Sequence, residues 1–344
     1  MRIGIIIGKN DELSLDKKIN KLVAKKYYYN GGVHTDTALA YIMKTRFIGV
    51  HIDIIRPSEI SSTRLSKNDI NYPIGYDIIN SINNDPYIKK FSGEVGLKKL
   101  DDIFKDKKNK IFPSYPFLSF LWSKKKYLQH LEKNGIPISS TIFIKKDISQ
   151  KLLLRKISEK KWKDFIIKPI GGTIALGVGI FTTKECREDD SILEEYFYEQ
   201  NESYDEYLVQ EKISGFSKYG EIKTFWINGQ LSYAVNTSGG AEYTKYEVNE
   251  VINQKFLDQC EKIGKKIFEI LPKIPFNRKK SLPVLIRIDF ACCNKNKPYH
   301  SRNIFVNEIE SDIAGLYINF PNVKYPVLEI LANEYIQKAY QLTN

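Results

Sequence analysis

The chain is poor in sulfur and imidazole: its 344 residues include four cysteines, four histidines and two methionines. Cys186, Cys260, Cys292 and Cys293 form no CxxC pair, so neither a zinc site nor a disulfide framework is expected. Cys292 and Cys293 adjoin in an expected strand and should point to opposite faces. Reduced, packed thiols suit a cytoplasmic protein. Long apolar runs are missing too, since none reaches the roughly 18 residues of a membrane-spanning helix. The opening MRIGIIIGKN has too short an apolar run for a signal-peptide core and no small-residue cleavage site. It reads as a first β-strand. Ser-His-Asp and Cys-His arrangements, which would mark a protein nucleophile, are absent as well.

Positive charge is in excess. Lys and Arg number 53 against 41 Asp and Glu, a net +12. The lysines are scattered, with local clusters at Lys105–Lys110 and Lys124–Lys126. A nucleic-acid binder needs a continuous basic-aromatic face, which the sequence does not show, so no nucleic-acid partner is expected. An anionic substrate accounts for part of the charge.

Hydrophobic periodicity divides the chain into three mixed α/β lobes. In the first, 1–115, IGIII (3–7) and VHIDII (50–55) have the β-branched character of buried strands. TDTALAYIMK (35–44) reads as a helix with Thr35 or Asp36 near its N-cap. KIFPSYP (110–116) reads as a strand ending in a proline-bounded loop. In the second, 116–208, a helix capped by Ser123 closes at Gly135. The strand of GIPISSTIFI, a helix near 148–161, the strand DFIIKP, a glycine-rich turn, the strand VGIF, a helix near 189–199 and the strand EYLVQEKI follow. In the third, 209–344, EIKTFWING and QLSYAVNTS form a hairpin through Asn228-Gly229. A helix near 251–271, the strands LIRIDFACC and NIFVNEIE, and a helix near 324–341 complete it.

Four features carry chemistry. FIIKPIGGTIALGVGIF places Lys168 at the end of an apolar strand, before a loop with Gly171, Gly172, Thr173, Gly177 and Gly179. Glycines let backbone N–H groups approach a phosphate chain closely, and the lysine adds a compact positive charge. The loop joins two strands and has no GKS or GKT, so it is not a Walker A loop. IRIDF puts Arg287 and Asp289 on one strand face, and FVNEIES puts Glu308 and Glu310 on another. If the two strands adjoin, three carboxylates converge, a donor set that suits Mg2+. YLVQEKI runs an apolar strand into polar residues whose backbone can read an adenine edge, and Glu221 with Lys223 lies on one face beyond it. Lys124 opens a helix where lysine opposes the macrodipole unless an anion sits nearby.

In this order, at these spacings, the motifs over about residues 115–318 resemble the ATP-grasp superfamily, and within it the D-alanine–D-alanine ligase, glutathione synthetase and ribosomal-protein glutamate ligase type. The resemblance implies an α/β (α+β) ATP-grasp fold with ATP held between two α+β subdomains: 1–115 an N-terminal lobe, 116–208 the central lid subdomain and 209–344 the C-terminal subdomain with the magnesium site. It implies that Lys124 and Lys168 bind ATP phosphates, that Gln210, Glu211, Lys212 and Ile213 form the adenine hinge, that Glu221 holds the ribose and that Lys223 stands near the phosphates. It implies Asp289, Glu308 and Glu310 as ligands of two Mg2+ ions, or of Mn2+, and Arg287 as the support of the transferred phosphoryl group and the tetrahedral intermediate. Glu310 departs from the pattern, because the usual residue there is asparagine. Ser311 to Gly315 likewise replaces the usual small-residue turn.

The activity implied is an ATP-dependent carboxylate–amine ligase working through an acylphosphate and releasing ADP and phosphate. Its partners would be small-molecule carboxylates and amines, such as amino acids or peptides, or an acidic protein, with neither nucleic acid nor membrane, and a homodimer is allowed. Addition of amino acids to a protein, or a nucleotide-binding pseudoenzyme, stand as alternatives. Gly31-Gly32 and Ser238-Gly239-Gly240 read either as carboxylate-binding loops or as plain turn glycines.

Overall fold

The strands assemble into three main sheets. The computed structural model describes residues 1–8, 12–29, 31–75, 77–79, 97–171, 175, 177–200, 204–240, 243–293, 303–311 and 315–344. The first sheet is parallel, with β1 (Arg2–Ile6), β2 (His51–Ile55) and β3 (Ile70–Pro73) in the order β2-β1-β3. Its strands are buried nearly throughout, as strands of a parallel sheet are. The helix Thr35–Arg46 packs here, with every residue from Thr35 to Met43 buried and His34 at its N-cap.

The second sheet is antiparallel: β4 (Thr141–Lys145), β5 (Asp164–Pro169), β6 (Gly179–Thr182) and β7 (Glu206–Glu211), ordered β4-β7-β5-β6. It has a core of its own, in which Leu153, Ile157 and Trp162 pack with Phe165, Ile167 and Tyr207. Burial of one such phenylalanine contributes roughly 1.5–3 kcal/mol.

The third sheet contains β8 (Glu221–Ile227), β9 (Gln230–Gly240) and β10 (Tyr243–Glu250). After a small ribbon of β11 (Ile274–Phe276) and β12 (Lys279–Ser281), β13 (Leu285–Cys292) and β14 (Ile304–Glu310) join it. The order is β10-β9-β8-β13-β14. Asn228 and Gly229, at φ 49° and 80°, turn β8 into β9 as the sequence suggested, since both central positions of this tight turn need positive φ. The helices Gln254–Ile270 and Val327–Thr343 contribute to the same core. That core is continuous with the first sheet's: the Tyr72 hydroxyl of β3 donates to the Tyr335 carbonyl at 3.2 Å.

Residues 110–116 do not form a strand. Ile111 makes one bridge to Asn71, and the helix Tyr115–Trp122 then begins with Pro116 in its first turn, where a missing N–H costs nothing. Four strands escaped the pattern reading: β3, β10 and the two of the β11–β12 ribbon. β3 is short and carries a buried Asn71, whose amide donates to the Leu65 and Asn109 carbonyls; β10 is a polar edge strand. None of the four cysteines is disulfide-bonded, and Cys292 is buried while Cys293 is exposed. Among the described residues no helix is long and apolar enough to cross a membrane.

Candidate active site

The site is built where the second and third sheets meet. β13 is paired on both sides, which fixes the register of its polar residues. Asp289 lies opposite Glu308 of β14 and opposite Lys223 of β8, and Arg287 lies opposite Glu310. Two acidic strands read separately from the sequence are therefore neighbours, and cross-strand pairing brings their side chains together.

Asp289 is fully buried and saturated with donors. Arg287 grips both its oxygens, Nε at 2.8 Å and a terminal nitrogen at 2.9 Å, while Lys223 Nζ lies 2.6 Å from Oδ2. Arg287 also reaches Glu310 at 2.6 Å. Burial opposes the charge on Lys223, but Asp289 and Glu221 overcome it and hold the ammonium well above its usual range. Burial likewise opposes the charge on Arg287, and Asp289 and Glu310 outweigh it.

Two further lysines lie beside these strands, Lys124 at the start of a helix and Lys168 on β5. Lys124 opens the helix Lys124–Lys133, where Ser123 Oγ caps the Lys126 N–H and the Lys124 N–H donates to the Ile170 carbonyl at 3.0 Å. The charge conflict at this helix start is met by carboxylates: Lys124 Nζ pairs with Glu308 at 2.9 Å, and Lys125 pairs with Glu206. Burial works against ionised Glu308, but Lys124, with Arg287 and Lys223 behind it, pulls its carboxyl down to about 2. Lys168, half-buried on β5, is held differently. Its hydrogen-bond partner among the described residues is the neutral Asn307 Oδ1, at a long 3.4 Å. Burial pushes its pKa down, with Lys124 adding repulsion and Glu308 and Glu221 resisting.

Asn307 was not anticipated. β14 carries a bulge opposite the Asp289–Phe290 step, where Asp289 pairs with Glu308 but Phe290 pairs with Val306. The extra residue is Asn307, and a bulge can re-aim a side chain that strict alternation would send to the other face. Its amide donates to Glu221 Oε1 at 2.6 Å, and Glu221 also pairs with Lys223. A continuous polar relay thus runs from Lys168 through Asn307, Glu221, Lys223, Asp289 and Arg287 to Glu310, with Lys124–Glu308 beside it. Four cations face four carboxylates, so the charges balance. Glu12 was also missed. Its carbonyl is fixed by the Thr35 N–H and hydroxyl, both at 2.9 Å. Burial raises its carboxyl pKa against the opposing pull of Arg287 and the Tyr317 N–H, which puts Glu12 at the Arg287 end of the site.

The hinge residues lie at the end of β7. Gln210 is buried and its amide donates to Thr141 Oγ1 at 2.9 Å. Glu211 pairs with Phe165 on the β5 side, whereas β4 begins at Thr141, opposite Gln210, and offers Glu211 no strand partner. The Lys212 N–H donates to Asp164, and Ile213 sits at the N-cap of the helix Ser214–Tyr219. Gly171 is required for packing, because a Cβ there would lie 2.1 Å from the Trp122 ring. Gly177 has φ 71°, and its carbonyl accepts from the Tyr196 hydroxyl at 2.7 Å. Gly172 and Thr173 lie outside the described residues. Ser238 to Gly240 belong to β9, and Gly31-Gly32 turn beside Tyr29, whose N–H and carbonyl pair with Gly32.

The carboxylate oxygens are hard donors of the kind Mg2+ takes. Among the described residues, however, no three His, Cys, Asp or Glu side chains are gathered as a metal site, because cations lie between Asp289, Glu308 and Glu310.

No protein-family model matches the chain, and no curated protein matches it in sequence. Solved structures match over almost the whole length. The D-cycloserine synthetase DcsG covers 98% of this chain and 100% of its own at 11% identity, with a TM-score of 0.64. The D-alanine–D-alanine ligase of Bacillus anthracis, complexed with ATP, covers 100% and 98% at 15% identity, with a TM-score of 0.58. The ATP-grasp ligase PsnB, complexed with a phosphomimetic variant of its minimal precursor, Mg and ADP, covers 98% of each chain at 12% identity, with a TM-score of 0.59. Sheet order, strand pairing and these likenesses agree that this chain has the ATP-grasp fold.

Proposed function

We propose that the chain is an ATP-dependent carboxylate–amine ligase, forming a C–N bond and releasing ADP and phosphate. The observation that carries this reading is Lys168: a partly desolvated ammonium at the edge of the relay, whose hydrogen-bond partner among the described residues is a neutral amide at 3.4 Å. Such a cation gains most from a polyanion. Lys124 and Lys168 receive the phosphates, Gln210 to Ile213 meet the adenine and Glu221 the ribose. Gly171 and Gly177, between β5 and β6, are assigned to the phosphates together with Gly172 and Thr173.

The residues present fit magnesium as well as nucleotide. Asp289, Glu308 and Glu310 are its proposed ligands. For them to serve, the cations now bound to them must turn to other anions, and ATP phosphates are such anions. Bound there, Mg2+ offsets charge on the transferring phosphoryl group.

The chain's own residues then act by electrostatics and position. A substrate carboxylate takes the terminal phosphoryl group of ATP, giving an acylphosphate and ADP, while Lys168 and Lys124 offset the negative charge. An amine adds to the acyl carbon, Arg287 stabilises the oxyanion, and phosphate leaves as the amide forms. No covalent protein intermediate is required.

One observation favours a second reading, a nucleotide-binding pseudoenzyme: Glu310 and Asp289 both hold Arg287. ADP and phosphate release from Mg-ATP separates the two. The ligase reading expects release that depends on one member of a panel of amino acids, peptides and acidic proteins, and that disappears in Lys168→Ala and Asp289→Asn. Tight ATP binding without turnover across the panel, unchanged by Glu310→Asn, would establish the pseudoenzyme instead.

A further inference from the structure

Exposed apolar side chains are unevenly spread over the molecule. Of the eleven exposed large hydrophobic residues among those described, five fall between residues 13 and 29: Leu13, Leu15, Leu22, Tyr28 and Tyr29. The inward side of the same segment is ordinary core. Ile19 and Val23 are buried one helical turn apart, and the Tyr41 hydroxyl accepts from the Ala24 N–H at 2.9 Å. The segment is therefore anchored, with these apolar side chains left on its exposed side.

Its charge is mainly positive. Lys17, Lys18, Lys21, Lys25 and Lys26 are exposed, and among the described residues none is engaged in an ion pair. The segment's carboxylate, Asp16, is consumed in capping the helix Lys17–Leu22 through the Lys18 and Ile19 N–H groups, at 2.8 and 3.0 Å. The face also adjoins the candidate active site. Leu13 follows Glu12, which lies at the Arg287 end, and the Leu13 carbonyl accepts from the Asn319 amide, two residues beyond Tyr317.

A partner must match both characters, with anionic groups for the lysines and apolar side chains for the leucines. We propose that residues 13–29 dock an acidic, leucine-bearing peptide segment of a protein substrate and so present one of its side chains at the Arg287 end of the site. This rests on the ligase reading and names its substrate class. The apolar part of the face is mostly aliphatic, Leu13, Leu15 and Leu22, which suits peptide side chains; Tyr28 and Tyr29 also offer stacking surface to bases, so an oligonucleotide is one arm of the test. The helix here has only six residues, too short to lie as an amphipathic anchor on a bilayer.

The test is fluorescence anisotropy of a labelled glutamate-rich peptide punctuated by leucines, titrated with the full chain. One variant reverses Lys17, Lys18, Lys21, Lys25 and Lys26 to Glu. A second carries Leu15→Ser and Leu22→Ser. A control reverses five exposed lysines elsewhere, Lys151, Lys160, Lys262, Lys265 and Lys266. Affinity should fall at least about tenfold in both patch variants and less than about threefold in the control. Equal loss in the control, or unchanged affinity in the leucine variant, overturns the proposal. So does tighter binding of a single-stranded oligonucleotide or of phosphatidylserine vesicles that is lost in the same lysine variant. ATP binding is followed in every variant: its absence from the wild type would sink the ligase reading, whereas peptide binding reports on the docking face alone.

Discussion

Two lysines approach the same cleft from different sheets and are held in opposite ways. Lys223 of β8 is pinned between Asp289 and Glu221 and stays charged far into the alkaline range. Lys168 of β5 has the neutral Asn307 at 3.4 Å, and burial depresses its pKa. The first completes a buried ionic network, and its charge belongs to the fold. The second carries a charge the fold leaves poorly compensated, as suits a group that meets a ligand's anion. Chemistry and stability should therefore separate when the two sides are altered.

The largest effect is expected on the Lys223 side. Asp289→Asn leaves two buried cations facing a neutral amide and should cost about 3–5 kcal/mol of stability, read from urea unfolding, with loss of ADP release. The contrast is Lys168→Met. Its stability should stay within about 1 kcal/mol of wild type, while nucleotide affinity measured by calorimetry falls by about 1.5–3 kcal/mol, the scale of a charge-assisted hydrogen bond. A large stability loss in Lys168→Met would erase the distinction. Asn307→Ala, which cuts the relay between the two, should cost only about 1 kcal/mol of stability and weaken nucleotide binding less than Lys168→Met.

Titration sharpens the contrast by sign. The depressed Lys168 pKa means the unfolded chain holds that proton more tightly, so its penalty is present at neutral pH and fades as pH rises through the folded pKa toward 10.5. The raised Lys223 pKa does the reverse: its contribution is complete below 10.5 and is lost only as pH climbs through the higher folded value. At the acid end, Glu308 contributes above its ordinary 4.5, and that contribution is lost as pH falls from there to about 2. Lys124→Met should therefore flatten the stability profile between those limits, a modest effect because the pair is partly solvated. A profile as steep as that of the wild type would show that Lys124 is not the cause.

Much of the site was legible because strand alternation is a local rule. Arg287 with Asp289, and Glu308 with Glu310, could be placed on shared faces from spacing alone, and Asn228-Gly229 named its own turn. Asn307 and Glu12 were not legible. Alternation sends Asn307 away from Glu308, and only the bulge turns it into the cleft. Glu12 follows Asp11 in a stretch far along the chain from Arg287, and nothing in that stretch of sequence announces the encounter. The segment 110–116 misled for a related reason: its apolar start resembles a strand, yet Pro116 serves equally well in a first helical turn.

By itself the sequence determined which elements form and which residues share a face, because backbone sterics and side-chain period act over a few residues. Only the tertiary structure decided who faces whom. It put β13 between β8 and β14, so that Asp289 meets Lys223 and Glu308, and it brought Lys124 to Glu308 and Lys168 to Asn307. Charges separated by more than a hundred residues acquire their roles from that contact, since the strength of an ion pair depends on distance and burial, and neither is written in any one segment.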